Sequence, residues 1–199
     1  MRRNVLTAAL VISCLSLVSC SSNNSVEQPK DDLSQGNISD PAVSEAKLQE
    51  AGADCMAGAE IKGRPVRVVS TVAPITNLVG LLAGDIGPIV QGIVPEGTNS
   101  HTFEPPPSSV ATLESADIIF VNGMKLEDPT LELAKANAPK AVICELGTSS
   151  LVESDWIYDF SFPKEGGKPN PHLWTNPPNV LPYLSTIRNV LVNADPTNI

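Results

Sequence analysis

Residues 116–146, ADIIFVNGMKLEDPTLELAKANAPKAVICEL, decide the fold. Ala116 to Val121 is apolar without alternation, as expected of a strand covered on both faces of a parallel sheet. Asn122-Gly123 closes it, and Asp128-Pro129 supplies a cap and a first-turn proline for the helix-forming stretch TLELAKANA. AVICEL, at 141–146, reads as a second buried strand by the same criterion. A strand, a helix and a parallel strand make one crossover unit.

The same alternation repeats on both sides of this unit. Upstream, VRVVSTV at 66–72 is a β-branched strand, followed by Ile75, Leu78, Val79 and Leu82 at the spacing of an amphipathic helix that Gly84 ends. Pro88 to Val94 is another apolar run, and Ser108 or Ser109 can cap a helix with Val110 and Leu113 facing inward. Downstream, Asn179 can cap a last helix with Val180, Leu184, Ile187 and Leu191 on one face and Pro182 in its first turn. The expected fold class is therefore α/β, an open, mostly parallel sheet flanked by helices over residues 63–199.

The N-terminal part differs in composition. MRRN followed by the apolar stretch Val5 to Val18 has the layout of a signal peptide, residues 1–19, too short for the roughly 20 residues of a membrane-crossing helix. Leu-Val-Ser-Cys at 17–20 resembles the lipobox of bacterial lipoproteins, which makes Cys20 the expected lipid attachment point; the alternative is an ordinary secretory signal with an incidental cysteine. Residues 20–62 are polar and lack apolar periodicity, apart from a possible short helix after Asp40-Pro41, and are expected to be a flexible tether. Of the remaining cysteines, Cys14 leaves with the signal peptide, while Cys55 and Cys144 remain; whether they pair is not readable from sequence.

Charge and motifs exclude several functions. The net charge of −9 falls to about −11 once Arg2 and Arg3 are removed, which argues against nucleic acid as a partner. No GxSxG turn presents a serine nucleophile, and no GxGxxG or Walker pattern cradles a nucleotide, so neither a hydrolase nor an organic cofactor is expected.

Only two histidines occur, His101 in GTNSHTFEPPP and His172 in NPHLWTNP, both in proline-stiffened loops. Prolines fix φ, so less backbone freedom is lost when such a loop is ordered. Both loops follow strands, and ligands of open α/β sheets bind beyond the carboxyl ends of strands. Neutral imidazoles suit transition-metal ions, although two histidines some 70 residues apart are a weak metal motif taken alone. Trp174 is expected to pack beneath the second loop, and Trp156, Tyr158, Phe160 and Phe162 to cover a core edge.

GTNSHTFEPPPSSVATLESADIIFVNGMKLE, at 97–127, resembles the first ligand segment of the zinc/manganese-binding solute-binding lipoproteins of bacterial ABC metal importers, and NPHLWTNP is similar to their second. The likeness extends from VRVVSTVAPITNLVGLLAGD to the final helix. It implies the Rossmann-like N-terminal lobe of a two-lobe periplasmic-type binding protein, with His101 and His172 as its two metal ligands. It also implies transport of zinc or manganese rather than enzymatic turnover, an ABC permease as partner, a monomer, and attachment to the outer face of the cell membrane through lipid on Cys20. A further lobe, carrying a His or Glu and then an Asp, belongs to that pattern and is not found in these 199 residues. Glu104 of HTFEP is expected to steady its loop rather than coordinate. The stretch DFSFPKEGGKPN lacks the His-rich insertion of many zinc-specific relatives, which tilts the expectation toward manganese, or toward zinc without that loop. The alternatives are a surface adhesin-like interaction lipoprotein, which relatives of this family have often been labelled, and a metallohydrolase, for which no general base is evident.

Overall fold

A computed structural model describes residues 45–197 except 59 and 86. The signal peptide, Cys20 and the tether up to residue 44 lie outside the described residues. The chain begins with α1 (Glu45–Glu50) and a 3-10 turn at Ala53–Cys55, then runs β1 (Arg67–Ser70), α2 (Ala73–Ala83), β2 (Ile89–Gly92), α3 (Ser109–Glu114) and β3 (Ile118–Val121). It continues through α4 (Asp128–Asn137), β4 (Val142–Glu145), α5 (Leu146–Ser150) and α6 (Pro177–Ala194).

The four strands form one sheet in the order β2-β1-β3-β4, with every pairing parallel. Alternate residues of the central strands point to opposite faces, as a pleated strand requires. Val68, Ile118 and Phe120 pack with Ile75 and Val79 of α2 and with Tyr183, Ile187 and Leu191 of α6. Val69, Ile119 and Val121 pack instead with Leu113 of α3 and with Leu131 and Ala134 of α4. The continuous apolar reading of residues 116–121 thus reflects two cores, one on each face of β3, all four of whose residues are buried.

Several local expectations shift. β4 is an edge strand, so only Cys144 of its four residues is fully buried; apolar content alone does not reveal which strand ends the sheet. Asp128 and Pro129 occupy the first turn of α4, while the capping position falls to Glu127. Ser108 caps α3 without a side-chain bond; the carbonyls of Pro106 and Pro107 take the N–H groups of Ser109 and Val110 instead, and Val110 is only half-buried. α6 starts at Pro177, two residues ahead of Asn179, so Pro182 lies inside the helix. Its buried face runs through Asn179, Tyr183, Thr186, Ile187, Val190 and Leu191, leaving Val180 and Leu184 half-covered.

Part of the segment read as tether is folded. Residues 48–58 lie against α6: Asn189 Nδ2 donates to the carbonyls of Leu48, Gln49 and Ala51, and Asn193 Nδ2 to those of Met56 and Gly58. Cys55 is bonded to Cys144 of β4 across a sequence separation of 89. Side-chain bonds to main-chain carbonyls and one covalent link leave no apolar period, which explains why composition suggested a tether.

At the amino edge of the sheet, Arg64 grips Asp117 through two bonds of 2.6 and 2.7 Å, and the Arg67 N–H adds a third at 2.9 Å. This bidentate pair holds the Asp117 carboxyl below its ordinary 3.8. The opposite, carboxyl edge carries the histidine loops. Among the described residues no helix is long and apolar enough to cross a membrane.

Candidate metal centre

A buried polar network organises the carboxyl ends of the strands. Glu127 is only 2% exposed, and its Oε1 accepts from the Thr71 hydroxyl at 2.6 Å and the Asn122 N–H at 2.7 Å. Burial pushes this carboxyl up, and the Thr71 and Asn122 donors oppose that rise. The buried Asn122 side chain accepts from the Tyr183 hydroxyl at 3.1 Å and donates to the Pro171 carbonyl at 3.0 Å. The residue before His172 is thereby tied to the end of β3 and to α6.

The backbone between these groups is tightly wound. Gly123, Met124 and Lys125 all have positive φ, at 76°, 57° and 61°. Gly147, at the start of α5, donates its N–H to the Asn122 carbonyl at 2.9 Å. A Cβ there would lie 2.6 Å from Met124 Cγ, so only glycine fits this approach.

His101 and His172 converge. Their Nε2 atoms are 3.1 Å apart, with ring centroids 5.0 Å apart and planes inclined at 58°. Two nitrogens bound at 2.0–2.1 Å to one ion are separated by about 2.9 Å at a right angle and about 3.4 Å at the tetrahedral angle, so the observed spacing suits a shared cation. His101 is exposed and His172 half-buried. Burial, and then the proximity of His101, hold the His172 imidazole below its ordinary 6.5, which keeps it neutral and its lone pair available.

Each loop uses the same local device. Asn99 Oδ1 accepts the His101 N–H at 3.0 Å, and Asn170 Oδ1 accepts the His172 N–H at 2.9 Å. Asn170 Oδ1 is also 2.9 Å from His172 Nδ1, the ring nitrogen turned away from His101. The spacing Asn-x-His in NSH and NPH carried this signal in the sequence. Trp174 meets His172 edge-on at 5.4 Å between centroids, as its place beneath the loop suggested.

The aromatic stretch 156–162 behaves differently from its expectation. Trp156 packs on the core, but Phe160 is fully exposed at 101%. Phe162 turns to the site, stacking on His101 at 6.3 Å and standing edge-on to His172 at 6.1 Å. Period-two spacing failed here because Asp159 and Phe162 close a tight turn through paired main-chain bonds of 3.0 and 3.1 Å. Glu104 is exposed, and among the described residues its side chain makes no hydrogen bond that could brace the loop. Nor does any group of three or more His, Cys, Asp or Glu side chains capable of holding a metal occur among the described residues. A groove of about 710 Å³ opens beside the pair, lined by Val72, Thr76, Val94, Glu96, Ser100 and Trp174.

Comparison with known proteins identifies the family and the fold. A family profile described as "Zinc-uptake complex component A periplasmic" matches residues 68–199. Iron-binding protein YfeA of Yersinia pestis is 33% identical over 135 residues, covering 66% of this chain and 40% of that protein. The manganese ABC transporter substrate-binding lipoprotein PsaA of Streptococcus anginosus is 31% identical over 143 residues, 68% of this chain and 44% of its own. A crystal structure of ZnuA shares the fold with a TM-score of 0.57 at 25% identity, covering 68% of this chain and 49% of that one. The chain spans less than half the length of these curated relatives.

Proposed function

The chain belongs to the family of periplasmic zinc-uptake complex component A proteins, and we propose that it is the lobe of a solute-binding receptor that captures a divalent transition-metal ion for an ABC permease. In this reading the ion is cargo and no bond is made or broken; His101 and His172 contribute two imidazole ligands, and the remaining positions are filled by other donors. The observation that carries it is the 3.1 Å approach of the two Nε2 atoms.

The family is named for zinc and these two relatives for iron and manganese, so the cargo class is a first-row divalent ion rather than one fixed element. Two imidazoles alone suit zinc, iron and manganese without selecting among them, because selectivity rests on the rest of the donor set. Several relatives are named lipoproteins, which supports export and a lipid anchor on Cys20. The chain is read as a monomer that meets its permease through the loaded lobe.

The test is direct titration with Zn2+ and Mn2+ against a competing chelator. His101→Ala and His172→Ala should each weaken binding by tenfold or more. Unchanged affinity in both variants refutes the assignment.

A further inference from the structure

Asp159 sits on an exposed strap ahead of the second histidine loop, and its carboxylate has three donors. Oδ1 accepts the N–H groups of Ser161 at 2.8 Å and Phe162 at 3.0 Å. Oδ2 accepts the Asn170 side-chain amide at 2.7 Å. The strap is closed a second time by the Asn170 N–H, which donates to the Ile157 carbonyl at 2.7 Å.

A carboxylate can only accept hydrogen bonds, so Asn170 must turn its NH2 toward Asp159 and its carbonyl away. That carbonyl faces His172, where it meets the backbone N–H and Nδ1, both at 2.9 Å. A carbonyl also only accepts, so Nδ1 must carry the ring proton. The lone pair is then left on Nε2, the atom that faces His101. Through its other oxygen the same carboxylate sets the turn that brings Phe162 against both imidazole rings.

We propose that Asp159 is a positioning residue that selects the metal-binding tautomer of His172 through Asn170 and seats Phe162 beside the two imidazoles. The inference deepens the ligand reading of His172 and rests on it for its functional meaning, while the tautomer itself can be read without any metal. Groups bonded directly to a ligating histidine, the place Asn170 occupies here, commonly alter metal affinity by about 10–100-fold when removed, and Asp159, one bond further out, acts through that group.

The decisive variant is Asp159→Asn in the full chain. Its Oδ1 can still accept from Ser161 and Phe162, so the turn survives, but its NH2 meets the NH2 of Asn170, donor against donor. Long-range 1H–15N spectra of the metal-free protein at neutral pH should show His172 as the Nδ1–H tautomer in the parent and as a mixture in this variant. Zn2+ affinity, measured by chelator competition, should fall about tenfold. The exchange Asp159→Asn with Asn170→Asp restores donor-to-acceptor polarity along the chain, and should recover both the tautomer and the affinity. A parent-like His172 tautomer in the single variant, or an exchange that fails to recover it, overturns the proposal. Unchanged Zn2+ affinity in His172→Ala overturns the ligand assignment instead, and leaves the tautomer result to be judged on its own.

Discussion

Cys55 is disulfide-bonded to Cys144, which fastens the segment ahead of β1 to the outermost strand β4 with Cα atoms 5.2 Å apart. Both residues are buried in the same core as Tyr183 and Ile187. A native disulfide typically stabilises a fold by about 2–4 kcal/mol. The Cys55→Ser, Cys144→Ser variant, or reduction of the parent, should therefore lower the unfolding free energy by that amount, read from the shifted midpoint and the slope in chemical unfolding.

The Arg64–Asp117 pair makes stability acid-sensitive. Asp117 has a folded pKa below its ordinary value, so the pair contributes fully above the unfolded pKa and is lost as pH falls through the depressed one. Unfolding followed by circular dichroism should show the parent more stable than Asp117→Asn at neutral pH, with that advantage shrinking as pH falls through 3.8 and gone only below the depressed folded value.

Gly147 faces Met124 and the Asn122 carbonyl too closely to accept a side chain. Gly147→Ala should destabilise by about 1–3 kcal/mol through forced displacement of the turn at 122–125. Because Asn122 also holds Pro171, the same variant should weaken Zn2+ binding in a chelator titration.

Cargo binding should register as stability. At a free Zn2+ concentration 100 times the dissociation constant, the folded state gains about 2.7 kcal/mol. Differential scanning fluorimetry should show a raised melting temperature with Zn2+ for the parent and no shift for the His101→Ala, His172→Ala double variant.

How much of this was legible in the sequence depended on which interactions leave a periodic trace. β3 was readable because coverage on both faces removes polar residues from every position between Ile118 and Val121. β4 misled because its apolar residues do not encode that no strand lies beyond it. His101 and His172 stood out through their proline-rich settings, and their convergence followed from the rule that parallel strands gather loops at one edge. Phe162, Asn170 and Asp159 were not legible as a group. Their association depends on the path of the strap at 157–170, which main-chain bonds set rather than any pattern of side chains.

The strand order has one more implication. β2 and β4 are the two margins of the sheet, and His101 follows the first while His172 follows the second. An ion shared by these imidazoles would join two loops that follow opposite margins of the sheet and that meet with their Nε2 atoms 3.1 Å apart. Displacing either loop would pull the two nitrogens apart, so the bond from Asn122 to the Pro171 carbonyl and the Asn99 turn ahead of His101 hold that spacing.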